Sequence, residues 1–291
     1  MRLLTPSLAV NQTYQFLVAH LSTKYDIRIH SFCAMSNHHH ICATDDNGQL
    51  PDFFRELHSF MTRCLNRYYK RSGSIWDSRP YNSCLLGIKG ESEHCEYGHD
   101  LMERGVYCVN NPLRAFRVKD ARKWPGANSI NFRFGQSYEF ERPNWFFRED
   151  GDIPPKATLT LTKFPGYEHL SDREMDLHFR AAVWSDAKTV LRDAKRRGIK
   201  FAGAEAVLRQ NPFYFPPPSA PNWTPIPHVA SKDPERRKTL VQRLRTFRAE
   251  YRAALLAFID GDHDVIFPHG TYLMKKRFKV RCHALEPHPP P

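Results

Sequence analysis

The chain has 291 residues, with 43 Lys and Arg against 31 Asp and Glu, and a formal net charge of +12. Its length suffices to bury a sizeable core, and it shows neither a long apolar run nor a signal-peptide pattern, so membrane insertion and secretion are not indicated and we expect a cytoplasmic protein. The seven cysteines form no Cys-x-x-Cys pair, which argues against a disulfide framework or a zinc ribbon.

The first part of the chain alternates between helical and extended patterns. The predicted segments, in chain order, are a helix over 9–24, a strand over 27–35, a strand over 38–44, a helix over 51–68, an extended segment over 74–87 and a helix over 91–111 that Pro112 is expected to end. This order predicts an α+β fold built around an antiparallel sheet.

The second part has weaker periodicity and most of the Lys and Arg blocks. In chain order we predict an irregular connection over 116–168, a helix over 171–197 that begins with a capping box, a Pro-rich linker over 211–228, a long helix around 240–258 with an arginine-rich face, a strand near 264–281 and a disordered tail. The excess positive charge of these segments points to a polyanionic partner.

The sharpest local feature is Asn37-His38-His39-His40-Ile41 at the start of a predicted strand. Side chains alternate along a strand, so His38 and His40 point to one face and His39 to the other. Two imidazoles on one face can converge on a divalent metal. A purely polar role remains open for this common pattern, and Cys42 on the same face also permits a zinc site.

A second feature is Tyr107-Cys108-Val109-Asn110-Asn111-Pro112 in the last predicted helix of the first part. Tyr107 and Asn111 are four residues apart and therefore share a helix face. A phenol and a carboxamide can then contribute to one small site. The alternative is a buried tyrosine with a satisfied hydroxyl and an asparagine that caps the helix.

Taken together, MSNHHHICATD, NRYYKRSGSIW, YCVNNPLRA and KWPGANS resemble the HUH single-tyrosine transposases, and most closely the group of REP-associated tyrosine transposases. The resemblance covers about residues 10–130, and the order and spacing of the motifs make it specific. Ser36 stands where the family usually has proline. The segment FPHGTY at 267–272 resembles the end of longer members.

The resemblance implies a ferredoxin-like antiparallel sheet with helices, the HUH nuclease core, over residues 1–130. Residues 131–291 would then form a basic, mostly helical extension with the Pro-rich linker near 211–228. The family fold starts with a strand ahead of the first helix, and that strand has no counterpart among the roughly nine residues before the helix here. Either the natural start lies upstream or another segment fills the sheet edge.

The resemblance also implies the chemistry. His38, His40 and Asn111 would bind Mg²⁺ or Mn²⁺, and Tyr107 would be the catalytic nucleophile that cleaves and rejoins single-stranded, hairpin-forming DNA through a 5′-phosphotyrosine. A homodimer is compatible with this function. The main alternative is a catalytically inactive DNA-binding protein of transposon origin. A metal hydrolase unrelated to DNA is a third hypothesis, but no carboxylate follows the histidines at a helpful spacing.

Two basic segments are candidates for DNA contacts. One trails along the predicted helix beside Tyr68 and Tyr69, where aromatic rings can stack on bases, and the other lies on the arginine-rich helix. A solvated cationic surface is the alternative for both. The candidate residues are Arg63, Arg67, Lys70, Arg71, Arg236, Arg237, Arg243 and Arg248.

Overall fold

The computed structural model describes residues 1–76, 96–215, 229 and 233–284. These residues form a mixed α/β structure with several helices and two small antiparallel sheets of two strands each. The chain divides into two compact units, Met1–Pro80 with Leu101–Trp223 and Tyr81–Asp100 with Thr224–Pro291. Among the described residues, no helix is both long enough and apolar enough to cross a membrane.

The N-terminal elements follow the predicted order of helix, two strands, helix and helix. Their bounds are α1 Leu8–Lys24, β1 Ile27–Ala34, β2 His39–Asp45, α2 Leu50–Tyr68 and α3 Glu96–Arg114. Ser7 caps α1 by accepting a hydrogen bond from the Val10 amide, and proline occupies the first turn of α2. Most of the extended segment predicted over 74–87, and the start of the helix predicted over 91–111, lie outside the described residues.

β1 and β2 form an antiparallel hairpin in which Cys33 lies opposite His40 and Ala34 opposite His39. Two further segments hydrogen-bond to β1: the amide of Ala34 donates to the Ala127 carbonyl at 2.8 Å, and the amide of Thr162 donates to the Ile29 carbonyl at 2.9 Å. These bonds satisfy backbone groups that an edge strand would otherwise leave exposed.

α3 continues through Pro112 and ends at Arg114, so the prediction that Pro112 ends this helix is wrong. Proline removes one backbone donor and crowds the preceding turn, but here only two helical residues follow it. The amide of Ala115 still donates to the Asn111 carbonyl at 2.8 Å, which closes the last turn.

Residues 116–168 were expected to be irregular, and this expectation is wrong in part. The structure has an antiparallel hairpin of β3 Ser137–Glu141 and β4 Lys156–Thr160, which pairs Tyr138 with Leu159 and Phe140 with Ala157. Each strand has only five residues, so its period-two pattern is too short to stand out among the surrounding Pro, Gly and Asn residues.

The capping box at Ser171 is confirmed as the start of a helix. The Ser171 hydroxyl accepts from the Glu174 amide while the Glu174 carboxylate accepts from the Ser171 amide, and α4 Asp172–Arg196 follows. Gly198 adopts a left-handed φ of 64° just after the helix end, a conformation that glycine adopts without steric cost. The short helix α5 Ala204–Leu208 comes next, and most of the predicted linker at 211–228 lies outside the described residues.

In the second unit, the long arginine-rich helix is confirmed as α6 Pro234–Ile259. The strand predicted near 264–281 is wrong: this segment contains the short helix α7 Leu273–Phe278, and one isolated bridge joins Phe267 to Cys282. Phe267 is fully buried in a small apolar cluster with Ala254 and Met274. The apolar residues of this segment thus pack on α6 instead of forming a strand pair.

Candidate metal and tyrosine site

The site lies where α3 packs against one face of β2. The Cys108 thiol of α3 donates to the His40 carbonyl at 3.5 Å, and the Cys42 thiol of β2 donates to the Leu101 carbonyl at 3.7 Å. Both thiols are buried, and burial raises the pKa of Cys108 to about 12. These cysteines are therefore neutral packing groups that hold the helix on the strand.

The side chains that sequence reasoning singled out come together on this face. The rings of His38 and His40 are 4.9 Å apart and perpendicular, and the Tyr107 ring lies 5.7 Å from His40 in the same edge-to-face manner. Asn111 is buried on the same face of α3, close enough to both imidazoles to oppose the lowering of their pKa values. Tyr107 remains 40% exposed, so part of this side chain is open to an external substrate.

The two imidazoles are in the form that a metal requires. Burial lowers the pKa of His40 to about 4, with repulsion from His38 adding to the shift and Asn111 opposing it. Desolvation by the surrounding protein also lowers the pKa of His38, although part of its ring is exposed, and Asn111 again opposes the shift. Both rings are thus neutral near pH 7, as metal ligands must be.

Each of the two imidazole rings also has a nitrogen that could bind a metal ion. Nδ1 of His38 donates to Oδ1 of Asn37 at 2.8 Å, which leaves Nε2 as the unprotonated nitrogen. Nε2 of His40 is buried and has no hydrogen-bond partner in the described part of the chain. A buried nitrogen without a partner is costly unless it binds something else. These features fit a divalent cation held by two imidazoles and one carboxamide oxygen.

The candidate ligand set is unusual because it holds no carboxylate or thiolate. Within residues 1–76, 96–215 and 233–284, no group of three or more His, Cys, Asp and Glu side chains is arranged to hold a metal ion. The hypothesis of a zinc site that includes Cys42 has no geometric support. The Cys42 thiol donates a hydrogen bond to the Leu101 carbonyl, and burial strongly raises the pKa of this thiol.

His39 faces the opposite side of β2. Its Nδ1 lies 3.0 Å from the Tyr14 hydroxyl, and its Nε2 lies 2.9 Å from Nε2 of His58, whose ring stacks on Trp76 at 4.4 Å. Burial lowers the pKa of His39 to about 3 and that of His58 to about 4. Both rings are therefore neutral, and one donates to the other.

Three of the four candidate basic residues in α2 and just after it are exposed. Arg63, Arg67 and Lys70 are exposed, and the Arg63 guanidinium lies 4.4 Å above the Phe60 ring. Arg71 is half-buried and donates to Oδ1 of Asn66 at 2.8 Å. Arg71 therefore stabilises the end of α2, whereas the other three can contact an external anion.

The candidate basic residues of α6 differ in their exposure to solvent. Arg236 is 17% exposed and forms an ion pair with Asp100 at 3.4 Å, both within the second unit. Arg237, Arg243 and Arg248 are exposed. The last three are the better candidates for contacts with phosphate.

Sequence reasoning missed four residues near the site. Tyr14 and His58 contact His39, and no spacing in the sequence links them to it. Arg114 lies on the same face of α3 as Tyr107, with its Cζ atom 5.2 Å from the Tyr107 ring centroid, and Asp186 of α4 pairs with it. The spacing of seven residues between Tyr107 and Arg114 was a usable signal.

Comparisons with protein-family models, with curated proteins and with solved structures found no match.

Proposed function

We propose that this protein is a metal-dependent nuclease and transposase of the HUH single-tyrosine type, which cleaves and rejoins single-stranded DNA. The observation that carries the proposal is the meeting of Tyr107 with His38, His40 and Asn111. These residues come from two distant motifs, yet the His40 and Tyr107 rings are in contact. A purely structural role gives no reason for a buried, unpartnered His40 Nε2 beside an exposed phenol.

In the proposed reaction, the Tyr107 hydroxyl oxygen attacks the scissile phosphorus. A bond forms between that oxygen and phosphorus, the bond from phosphorus to the 3′ oxygen breaks, the phenol proton is lost, and the leaving oxygen takes up a proton to become a 3′-hydroxyl. The product is a 5′-phosphotyrosine, which conserves the phosphodiester bond energy. Attack by a 3′-hydroxyl on this phosphorus reverses the step and rejoins a strand.

The other site residues would hold the metal ion and orient the reacting groups. His38, His40 and Asn111 would bind Mg²⁺ or Mn²⁺, and the chemistry supplied by the bound cation is polarisation of the scissile phosphate. Asn37 fixes the His38 ring through the 2.8 Å bond to Nδ1. Cys108 and Cys42 keep α3 against β2, so that the phenol stays beside the imidazoles.

We also propose the corresponding fold assignment, a ferredoxin-like HUH core within residues 1–130. The contacts of Ala127 and Thr162 with β1 support it, because they supply an alternative cover for the edge where the family has its first strand. The first compact unit also includes residues beyond 131. The domain boundary at 130, the homodimer and the cytoplasmic location stay predictions.

The test is a search for the covalent intermediate. Single-stranded DNA hairpins labelled on the 3′ side of candidate cleavage sites are incubated with the full chain and Mn²⁺, then separated under denaturing conditions. We expect a protein-linked label and a free 3′-hydroxyl fragment with the wild type, and neither with Tyr107→Phe, which deletes only the nucleophilic oxygen. Hairpin binding without any adduct would support the inactive DNA-binding protein instead.

A further inference from the structure

Arg114 is placed to act on the same reaction. It follows Tyr107 by seven residues and Asn111 by three, so the three side chains line one face of α3. Its guanidinium lies over the phenol ring, with 5.2 Å between Cζ and the ring centroid. The side chain is 36% exposed, so it stands at the mouth of the site, where a phosphate must approach Tyr107.

The guanidinium is held in this position from α4. Asp186 accepts two hydrogen bonds from Arg114, one from Nη2 and one from Nε at 3.2 Å. The Asp186 carboxylate is itself fixed, because Nδ2 of Asn110 donates to it at 2.9 Å and also donates to the Val183 carbonyl at 2.9 Å. In the described part of the chain, Nη1 of Arg114 has no hydrogen-bond partner.

An ordinary interhelix ion pair would explain the contact of Arg114 with Asp186. It would not explain why the same guanidinium also lies over the Tyr107 ring, on the α3 face that carries Asn111. Arginine has a planar fork with donors on two edges, so one edge can bind a carboxylate while the other binds a phosphate. Lysine cannot make both sets of bonds.

We propose that Arg114 is a further catalytic residue, which contacts the scissile phosphate and stabilises the negative charge that develops on its oxygens during attack by Tyr107. Asp186 is a positioning residue that acts through Arg114. This inference rests on the proposed function. A preorganised donor at a developing oxyanion contributes more in the transition state than in the ground state, so its loss should slow the chemical step more than it weakens binding.

The experiment measures hairpin affinity and the single-turnover cleavage rate at saturating DNA as separate quantities, in the full chain with Mn²⁺. We expect Arg114→Gln to lower the cleavage rate by about 100- to 1,000-fold and to change the dissociation constant by only a few fold. Asp186→Asn should give a smaller loss of rate. Arg122→Gln is the matched control, because it breaks an exposed arginine–aspartate pair with Asp120 and should leave the rate unchanged.

Thermal melting of each variant separates a catalytic effect from loss of structure. Should Arg114→Gln fail to fold, Arg114→Lys decides the question, since it keeps the charge but loses the fork. A decrease of about tenfold or more at saturating DNA is then expected, and a wild-type rate would overturn the inference. Normal cleavage by a folded Arg114→Gln protein overturns it as well while leaving the proposed function intact. Absence of any adduct with the wild type would overturn both.

Discussion

His39 and His40 are neighbours that face opposite sides of β2: His39 hydrogen-bonds to Tyr14 and His58, whereas the His40 ring lies 5.7 Å from the ring of Tyr107. The alternation follows from strand geometry. It separates the three consecutive histidines into two functional groups, the candidate ligands His38 and His40 and the anchor His39. Substitutions at these positions should therefore produce different defects.

The first prediction concerns metal binding. His38→Ala and His40→Ala should each weaken Mn²⁺ binding by more than about 100-fold, since loss of a ligand should exceed the 10- to 100-fold cost of losing a supporting contact. His39→Ala should keep its metal affinity within a few fold because its ring points away. Calorimetric titration of the three variants decides between these outcomes, and equal losses at all three positions would refute the assignment.

The second prediction concerns stability. His39→Ala should lower the free energy of unfolding by about 2–4 kcal/mol, because it leaves a void and removes the partners of Tyr14 and His58. Tyr14→Phe is the matched control: it deletes one hydroxyl and should cost about 1 kcal/mol. Urea unfolding measures both. A His39→Ala protein as stable as the wild type would show that the hydrogen-bonded chain contributes little.

The third prediction concerns the packing that positions α3. A Cβ atom at Gly105 would overlap Cζ of Phe164 and lie 2.8 Å from its Cε1. Phe164 is fully buried against His30 and Phe179 and cannot move aside easily. We expect Gly105→Ala to lower the free energy of unfolding by about 1–3 kcal/mol despite the better helix propensity of alanine.

The control for this substitution is Gly151→Ala. Its new Cβ would approach nothing closer than the Arg148 carbonyl oxygen, at 3.5 Å, and its φ is not left-handed. Its effect on the free energy of unfolding should stay within about 0.5 kcal/mol. If Gly105→Ala proves equally harmless, then α3 and Phe164 are less tightly packed than these distances indicate.

Much of this fold could be predicted from sequence where local signals were strong. The apolar periodicity of α1, α2 and α6 predicted those helices, and the Ser171 capping box predicted the start of α4. The β3–β4 hairpin could not be found in this way because each strand has five residues. Its aromatic residues, Tyr138 and Phe140, stack with Phe132, and local sequence patterns do not reveal this contact.

The candidate site also has contacts that local sequence patterns predict and contacts that they do not. Strand alternation predicted that His38 and His40 share a face, and helix periodicity predicted that Tyr107 and Asn111 do. The ion pair of Arg114 with Asp186 spans 72 residues in sequence, and the half-buried pair of His39 and His58 joins a strand to a helix. Such contacts depend on how elements pack, which no short pattern encodes.

The fourth prediction concerns acid stability. His30 is fully buried, and its ring nitrogens lie 3.0 Å from the Thr162 carbonyl and 2.8 Å from the Thr44 hydroxyl. Burial lowers the pKa of His30 from 6.5 to about 4, opposed by the Thr162 bond and aided by Arg28. Between these two values the unfolded state binds more protons, so stability falls as the pH drops from about 6.5 to about 4.

The contribution of His30 to this loss should be about 3 kcal/mol, from a shift of about 2.5 pH units at 1.36 kcal/mol each. Chemical unfolding of the wild type and of His30→Asn across this range measures it. Asparagine can still donate to Thr162 but does not titrate, so the variant should show a shallower decline. Parallel curves would mean that His30 is not the group that takes up the proton.

The last prediction assigns DNA affinity to the exposed arginines of α6. Arg237, Arg243 and Arg248 are exposed, whereas Arg236 is 17% exposed and paired with Asp100. Each phosphate contact releases condensed counterions, so its removal should flatten the logarithmic salt dependence of single-strand binding by about 0.7. A variant with all three exposed arginines changed to glutamine should therefore lose about 2 from the slope and bind hairpin DNA more weakly at low salt. Arg236→Gln on the same helix is the matched control and should change the slope by less than about 0.7, the value for one phosphate contact. An unchanged slope in the triple variant would mean that this face of α6 is exposed to solvent without contacting DNA. The path of the DNA would then be sought along Arg63 and Arg67 of α2 and Lys70 just after it.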